Sequence, residues 1–277
     1  MPMVEESLKK SSQVNWYVIT LIFIIIVAFD IANSIEPQID SELDFFEAAR
    51  MLGFLAVSLF AFVVAKRYWG SSVFGKAYLS LALGYCFYFF GDLLWYVYQI
   101  GYQIENPYPY FPDIGYFAFY PFAIYHLKTN IHFFKRKLDA KQKKFLFLIP
   151  FGTALIYTIG SLVPFDASSG ISSLKILPMP EYDYSYYVQF LTGLAYVGAT
   201  TLTFAYAIIG AQVFQIGQLS TAWRLILLGI GLNTVADLHY YYTELFGNFD
   251  RTNPVHGIWM ASTIVLCYAL YKHIKSI

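Results

Sequence analysis

Charged residues are scarce in this sequence, and their scarcity sets it apart from ordinary soluble domains. Only 13% of the 277 residues are Asp, Glu, Lys or Arg, whereas about a quarter are charged in a typical soluble domain. The 18 basic and 18 acidic side chains balance to a net charge of zero. A balanced charge offers no electrostatic attraction for nucleic acid, so we expect no nucleic-acid partner.

Cysteines are few, and the motifs of several enzyme classes are missing. Cys86 and Cys267 both lie within apolar runs, so they predict neither a disulfide framework nor a metal cluster. The sequence contains no P-loop, no His-Glu-x-x-His zinc helix and no Gly-x-Ser-x-Gly nucleophile elbow. No Lys lies in the middle of an apolar run, which excludes a retinal Schiff base. We predict no cofactor and no metal.

Long apolar runs are what the sequence has in abundance. Hydrophobic residues make up 58% of the chain, and the runs reach about 20 residues, the length of a helix that crosses a bilayer. Continuous runs favour helices over the short alternating strands of a membrane barrel. We predict an all-α, polytopic bundle in the cell membrane, in contact with membrane lipid. The eight predicted transmembrane helices cover residues 15–34, 47–68, 77–101, 112–133, 145–163, 185–214, 222–246 and 255–272.

The connecting segments differ in charge between the two sides of the predicted membrane. With the N-terminus in the cytoplasm, most Lys and Arg fall on the cytoplasmic side, including a basic linker at 134–144. The external segments instead collect Asp and Glu. This distribution follows the positive-inside rule, and it predicts that both termini are cytoplasmic.

The third and seventh runs share a pattern that indicates an internal repeat. Gly84 precedes Asp92 by the same spacing as Gly229 precedes Asp237, and the next run opens near a proline in both cases. We predict one membrane domain over 1–277, built from two four-helix repeats at about 15–133 and 145–273. Because each unit has an even number of helices, the two units are parallel.

Ionisable side chains inside the predicted spans are the candidates for function. An acid at mid-bilayer costs about 2.5–3.5 kcal/mol on insertion scales, and Asp92 and Asp237 lie at equal depth in their runs. Each begins a polar stripe at helical spacing that leads outward, so we expect the two acids to share one cavity. A purely structural hydrogen-bond network is the alternative. The predicted ligand-binding residues are Asp92, Tyr96, Gln99, Asp237, Tyr241, Glu244, Arg50, Asp113 and His256.

The remaining charged and imidazole side chains receive simpler interpretations. Arg50 is the one basic residue in the outer half of a run, and it is the predicted counter-charge for Asp92, Asp113 or a ligand anion. Asp113 also fits a helix cap, since it follows a proline at the start of a run. The inner halves of the runs are expected to lack polar stripes. Four histidines are expected at the membrane interfaces or away from any ligand: His126, His132, His239 and His273.

Two stretches in the first half of the chain resemble a family of signalling domains. Residues 91–96 read Gly-Asp-Leu-Leu-Trp-Tyr, and residues 112–121 read Pro-Asp-Ile-Gly-Tyr-Phe-Ala-Phe-Tyr-Pro, with a Pro-rich stretch at 106–110 between them. They resemble the multi-helix membrane input domains that precede diguanylate cyclase (GGDEF) modules in bacteria. The resemblance implies a sensor. Since only five residues follow the last run, we expect a stand-alone input domain that acts through a separate cytoplasmic signalling partner.

A weaker resemblance is to the eight-helix lysoplasmalogenase family of lipid hydrolases. That family carries Gly-Asp in its third span and Ser-Asp in its seventh, where this sequence has Gly91-Asp92 and Ala236-Asp237. The family also implies a histidine in the fourth span, where His126 lies at a different spacing. If this resemblance held, Asp92 and Asp237 would be catalytic and would act as a general acid and base.

Three functions therefore remain open, and we rank them by how well the sequence supports them. The first is a non-enzymatic sensor or binding protein with an outward pocket for a small polar, amphipathic or cationic ligand. The second is a lysoplasmalogenase-like hydrolase. The third is a proton-coupled transporter, ranked last because transport needs polar access from both sides of the membrane.

Overall fold

The computed structural model describes residues 16–35, 45–102, 109–162, 184–245, 249 and 253–275. Within these residues the chain forms eight α-helices and no strand, which confirms the all-α prediction. The helices are α1 (Trp16–Ile35), α2 (Phe45–Arg67), α3 (Phe74–Tyr102), α4 (Pro112–Phe134), α5 (Ala140–Leu162), α6 (Tyr184–Val213), α7 (Ser220–Leu245) and α8 (Val255–Lys275).

Helix α5 begins earlier than its apolar run, within the predicted basic linker. The Asp139 carboxylate accepts a hydrogen bond from the Gln142 backbone N–H at 2.8 Å, and the Gln142 side chain accepts one from the Asp139 N–H at 3.3 Å. This reciprocal pair is a capping box, which satisfies N–H groups that have no partner within the helix. The Gln142 N–H, helped by Lys135, holds the pKa of Asp139 below its ordinary value. The helix therefore begins at Ala140, five residues before the apolar run that starts at 145.

Four of the described helices are long and apolar enough to cross a membrane. They are α2, α3, α5 and α6, over Glu47–Arg67, Phe74–Tyr102, Ala140–Ser161 and Tyr186–Val213. Large apolar side chains such as Phe62, Phe90 and Ile156 are exposed on their outer faces. An apolar exterior of this extent is characteristic of a protein surrounded by lipid.

The helices pack in a regular order around one core. Helix α3 contacts both α2 and α4, and α7 contacts both α6 and α8. Two further contacts close the bundle, because α2 lies against α8 and α4 lies against α6. Helix α1 contacts α8, and α5 contacts α6. The five helices that carry the candidate residues, α2, α3, α4, α7 and α8, each contact at least two neighbouring helices.

A close crossing of α3 and α4 depends on two glycines. A Cβ on Gly115 would lie 2.8 Å from the backbone oxygen of Phe87 and 2.9 Å from the Cα of Gly91. A Cβ on Gly91 would lie 2.8 Å from the ring of Tyr116. Small residues of this kind let helix backbones approach in membranes, and here the approach brings Asp92 beside α4.

Candidate functional site

A polar cavity of about 50 Å³ lies between α2, α3, α4, α7 and α8. It occupies the end of the bundle where α2, α4 and α8 begin and where α3 and α7 end. One water needs about 10–15 Å³ of such space, so the cavity takes a few waters or a small polar group. Its lining residues are Glu47, Arg50, Phe54, Tyr88, Asp92, Trp95, Asp113, Tyr116, Tyr240, Tyr241, Phe249, His256 and Trp259.

Asp92 is a buried carboxylate with one oxygen bonded and the other unpaired. Oδ1 accepts hydrogen bonds from Arg50 Nη2 at 3.2 Å and from the Tyr116 hydroxyl at 2.8 Å. Oδ2 is buried and has no hydrogen-bond partner among the described residues. An unsatisfied buried acceptor costs about 1–3 kcal/mol, so a hydrogen-bond donor in the cavity would be stabilised by contact with Oδ2.

Arg50 pairs with Asp92, as predicted for its counter-charge, and it also contacts α8 on the opposite side of the cavity. Its Nη2 forms the ion pair with Asp92, and its guanidinium carbon lies 5.0 Å from the centre of the Trp259 ring. Its Nη1 lies 3.4 Å from His256 Nδ1. Arg is only a donor, so Nδ1 accepts and the proton of this neutral imidazole is on Nε2. That N–H has no partner in the described part of the chain.

Asp237 lies deeper and is fully engaged in hydrogen bonds. Oδ1 accepts one from Trp259 Nε1 at 2.9 Å. Oδ2 accepts from Thr200 Oγ1 at 2.9 Å, from Asn233 Nδ2 at 2.9 Å and from the Tyr120 hydroxyl at 3.3 Å. Asp237 is not among the lining residues, so of the two predicted acids only Asp92 reaches the cavity. The four donors come from four different helices, and the carboxylate ties them together.

Asp113 holds the residues just before α4 and joins α4 to α6. Its Oδ2 accepts the Tyr110 backbone N–H at 2.7 Å, ahead of the first turn of α4. Its Oδ1 accepts the Tyr196 hydroxyl from α6 at 2.6 Å. Tyr196 in turn stacks on Tyr241 with ring centres 4.4 Å apart. No side chain in the described part of the chain caps the N-terminus of α4, so Asp113 does not act as the predicted helix cap, and its carboxylate instead lines the cavity and binds Tyr196.

The structure brings five of the nine predicted ligand-binding residues to the cavity lining. These are Arg50, Asp92, Asp113, Tyr241 and His256. Asp237 lies behind Trp259, and the buried Glu244 lies one turn beyond Tyr240. Tyr96 and Gln99 are half-buried near the end of α3, away from the lining.

Most of the aromatic lining was not singled out from the sequence. Trp259 lies one turn after His256, Tyr88 one turn before Asp92 and Glu47 one turn before Arg50, so helical spacing from the predicted residues would have indicated them. Tyr116 lies one turn after Asp113 and carries the same signal. Phe249 lies outside the helices and carries none.

Two of the four histidines expected at the membrane interfaces are fully buried within the bundle. His126 and His273 are both 0% exposed, and Asn130, one turn after His126, is 0% exposed as well. The end of the bundle opposite the cavity therefore contains buried polar side chains. His126 and Asn130 lie one turn apart on α4, whereas His273 comes from α8, so the three meet only in the packed bundle. His239, in contrast, is exposed as expected.

Comparisons of the whole chain with protein-family models, with curated proteins and with solved structures find no match.

Proposed function

We propose that all eight helices cross the membrane, with both termini in the cytoplasm. Helices α1, α4, α7 and α8 have 20 to 26 residues, and at 1.5 Å per residue each reaches the thickness of a hydrocarbon core. Polar residues lower the hydropathy of α4, α7 and α8, but many of them, such as Asn130, Asp237 and Ser262, are buried. Burial of polar groups within a bundle is how membrane helices tolerate them.

The helix contacts favour two parallel repeats of four helices. Numbered within each repeat, the second helix contacts the third and the third contacts the fourth in both halves. The second helix of each half also contacts the fourth helix of the other half, as α2 with α8 and α6 with α4. The matched glycines lie at equivalent crossings, since a Cβ on Gly84 would meet Phe122 and one on Gly229 would meet Leu266. A pseudo-twofold axis along the membrane normal accounts for this pattern.

The function that the site supports best is non-enzymatic binding of a small organic cation from the outer side. The observation that carries it is the unpaired Oδ2 of buried Asp92 in an aromatic-lined cavity. Three carboxyl groups line the cavity, from Glu47, Asp92 and Asp113, against one guanidinium. Excess acid and the faces of Trp and Tyr rings both attract a cation.

The unpaired N–H of His256 narrows the chemistry of the ligand. An ammonium group would donate to Asp92 Oδ2, and an oxygen atom close to that ammonium would accept from His256 Nε2. Occupancy would change the contacts between α2, α3 and α8, and a cytoplasmic signalling partner would sense the resulting helix motion. This assignment agrees with the sensor that the sequence resemblance implies.

Hydrolysis of lysophospholipids remains the alternative, with Asp92 and Asp237 as the catalytic pair. The hydrogen bonds of Asp237 to four donors weigh against it, because a general acid or base must reach the reacting atoms. Incubation of the purified wild-type protein with a lysoplasmalogen tests for this hydrolase activity. Release of the aldehyde or of the glycerophospho-headgroup would establish the hydrolase, and its absence would exclude it.

The binding proposal is tested with ethanolammonium, which carries an ammonium and a hydroxyl. The melting temperature of the purified protein in mild detergent is measured with ethanolammonium, propylammonium or acetate at equal millimolar concentrations. Ethanolammonium should raise it most, since a ligand at ten times its Kd adds about 1.4 kcal/mol. Propylammonium should act less, and acetate should not act. Equal shifts with all three ions would refute the proposal.

Two isosteric variants locate the effect. Asp92→Asn should abolish the shift, whereas Asp237→Asn should lower the starting stability and keep the shift, because Asp237 does not line the cavity. If Asp92→Asn does not fold, Glu47→Gln takes its place and should weaken the shift. A shift that survives both Asp92→Asn and Glu47→Gln would overturn the assignment of the cavity.

A further inference from the structure

A second group of buried polar side chains lies at the opposite end of the bundle. We call it the inner histidine cluster, and it consists of Tyr68, Tyr78, His126, Asn130 and His273. Tyr78, His126, Asn130 and His273 are each 0% exposed. Tyr78 precedes Asp92 by fourteen residues on the same helix, which places the two about 21 Å apart along the axis. The cluster is therefore separate from the outer cavity.

The hydrogen bonds of His126 define which of its nitrogens is protonated. Nδ1 lies 3.1 Å from the backbone oxygen of Ala77 and 3.3 Å from Asn130 Nδ2. A carbonyl only accepts, so the shorter contact to Ala77 assigns the proton to Nδ1, and the Asn130 amide, which only donates, directs its hydrogen to the His126 carbonyl at 2.8 Å instead. Nε2 is then an unprotonated lone pair. It is buried and has no partner among the described residues. A neutral imidazole whose other nitrogen is fixed by a carbonyl is oriented to accept a proton or a hydrogen bond.

The other members of the cluster lie close to His126 or to one another and bring further polar atoms without hydrogen-bond partners among the described residues. The Tyr78 ring lies 4.6 Å from the His126 ring and 4.7 Å from the His273 ring, and the Tyr68 ring lies 5.6 Å from His273. Both hydroxyls and both nitrogens of His273 lack hydrogen-bond partners in the described part of the chain. Asn130 donates to the His126 carbonyl at 2.8 Å, and its Oδ1 is unpaired.

Six buried unpaired atoms in one place indicate bound water. Each unsatisfied buried group destabilises the folded state by about 1–3 kcal/mol. Native proteins avoid this loss with internal waters that make two to four hydrogen bonds each. The cluster offers acceptors at His126 and Asn130 and donors at the tyrosine hydroxyls. Water is a donor and an acceptor at once, so it meets both demands.

The groups that face the cluster favour a proton over a metal ion. Tyr68, directly after α2, comes with the exposed Arg67 beside it. Helix α3 contributes Tyr78, α4 contributes His126 and Asn130, α7 contributes the Trp223 ring and α8 contributes His273. No carboxylate is among them, so the charge of a divalent ion would be uncompensated. A single charge on His126 instead lies over the Trp223 ring, which stacks on the imidazole with ring centres 6.1 Å apart, and such a ring stabilises a cation.

We propose that the inner histidine cluster is a second site, which holds water and binds a proton that enters from the adjacent face of the bundle. That face is cytoplasmic only if the proposed membrane orientation is correct, whereas proton binding is independent of the orientation and of the outer ligand.

Nitrogen NMR of protein labelled with ¹⁵N-histidine, in mild detergent, tests the proposal. The expected result is that the Nε2 signal of His126 or a ring signal of His273 moves to the protonated position as the pH falls, with exchange peaks to water. His126→Gln and His273→Gln assign the signals, and the exposed His239→Gln is the matched control that should leave them unchanged.

The proposal is overturned if both imidazoles stay neutral, without exchange to water, over the whole pH range in which the protein is folded. Tyr78→Phe keeps the ring and removes only the hydroxyl, so the signals that it moves identify the cluster even if a Gln variant fails to fold. His126→Gln should also retain the ethanolammonium shift of the outer cavity. A wild type that titrates here but shows no ethanolammonium shift would refute only the proposed ligand.

Discussion

The buried ion pair between Arg50 and Asp92 should stabilise the bundle far more than an ion pair on its surface. The change we consider is Arg50→Met, which keeps most of the side-chain volume and removes the charge. Asp92 would then remain buried with a single strong donor, the Tyr116 hydroxyl. The exposed pair of Lys135 and Asp139, at 3.0 Å, is the matched control within the same chain.

The expected magnitude follows from the distance and the burial of the pair. The charged atoms are 3.2 Å apart, and the side chains are 11% and 4% exposed. At an effective dielectric constant of about 20, the Coulomb attraction at this distance is about 5 kcal/mol. Desolvation offsets part of it, and removal of one partner of a buried pair costs about 3–5 kcal/mol. The control pair is exposed and screened, so its loss should change stability little.

A double-mutant cycle measures the interaction itself. The free energy of unfolding is obtained for wild type, Arg50→Met, Asp92→Asn and the double variant, by titration of mild-detergent micelles with SDS and far-UV circular dichroism. The double variant should lose less than the sum of the single losses, by more than about 1 kcal/mol. A Lys135→Met loss as large as that of Arg50→Met, or additive effects at Arg50 and Asp92, would refute the reasoning.

Two further variants test the packing and the hydrogen bonds that hold the site. Gly115→Ala should destabilise the protein by about 1–3 kcal/mol because the added Cβ would meet backbone atoms of α3. The control is Gly152→Ala, which should be neutral or stabilising because nothing lies within 4 Å of its Cβ. Equal SDS unfolding curves for the two variants would contradict the close crossing of α3 and α4. Trp259→Phe removes the hydrogen-bond donor to Asp237, and Trp223→Phe controls for the lost volume. Trp259→Phe should lower the free energy of unfolding by about 1–3 kcal/mol more than the control. A smaller difference in the same assay would show that this hydrogen bond is dispensable.

The helices themselves could be read from the sequence. Apolar runs near 20 residues predict helices because only a helix satisfies its backbone hydrogen bonds within one segment, and the predicted runs coincide with the eight described helices. The start of α5 was misjudged, since hydropathy does not detect a capping box formed by Asp139 and Gln142. Arg50 was found as a counter-charge because it is the one basic residue near the predicted acids, and burial leaves such a charge few partners.

The division of roles between the two aspartates could not be read from the sequence. Asp92 and Asp237 have equivalent places in their helices, and spacing along one helix treats them alike. They differ because Asp237 meets donors from three other helices, whereas Asp92 keeps a free oxygen at a cavity. Such partners are separated by many residues in the chain and meet only through the packing of helices.

The inner histidine cluster is a second feature that could not be predicted from the sequence. His126 and His273 lie near the ends of apolar runs, where a polar side chain is ordinarily solvated at the membrane surface. Only the crossing of α3, α4 and α8 turns both imidazoles inward against Tyr78. Hydropathy and local spacing thus determined that this chain is a helical bundle with polar residues inside it. Long-range packing decided which of those residues are satisfied by one another and which remain open to a ligand, to water or to a proton.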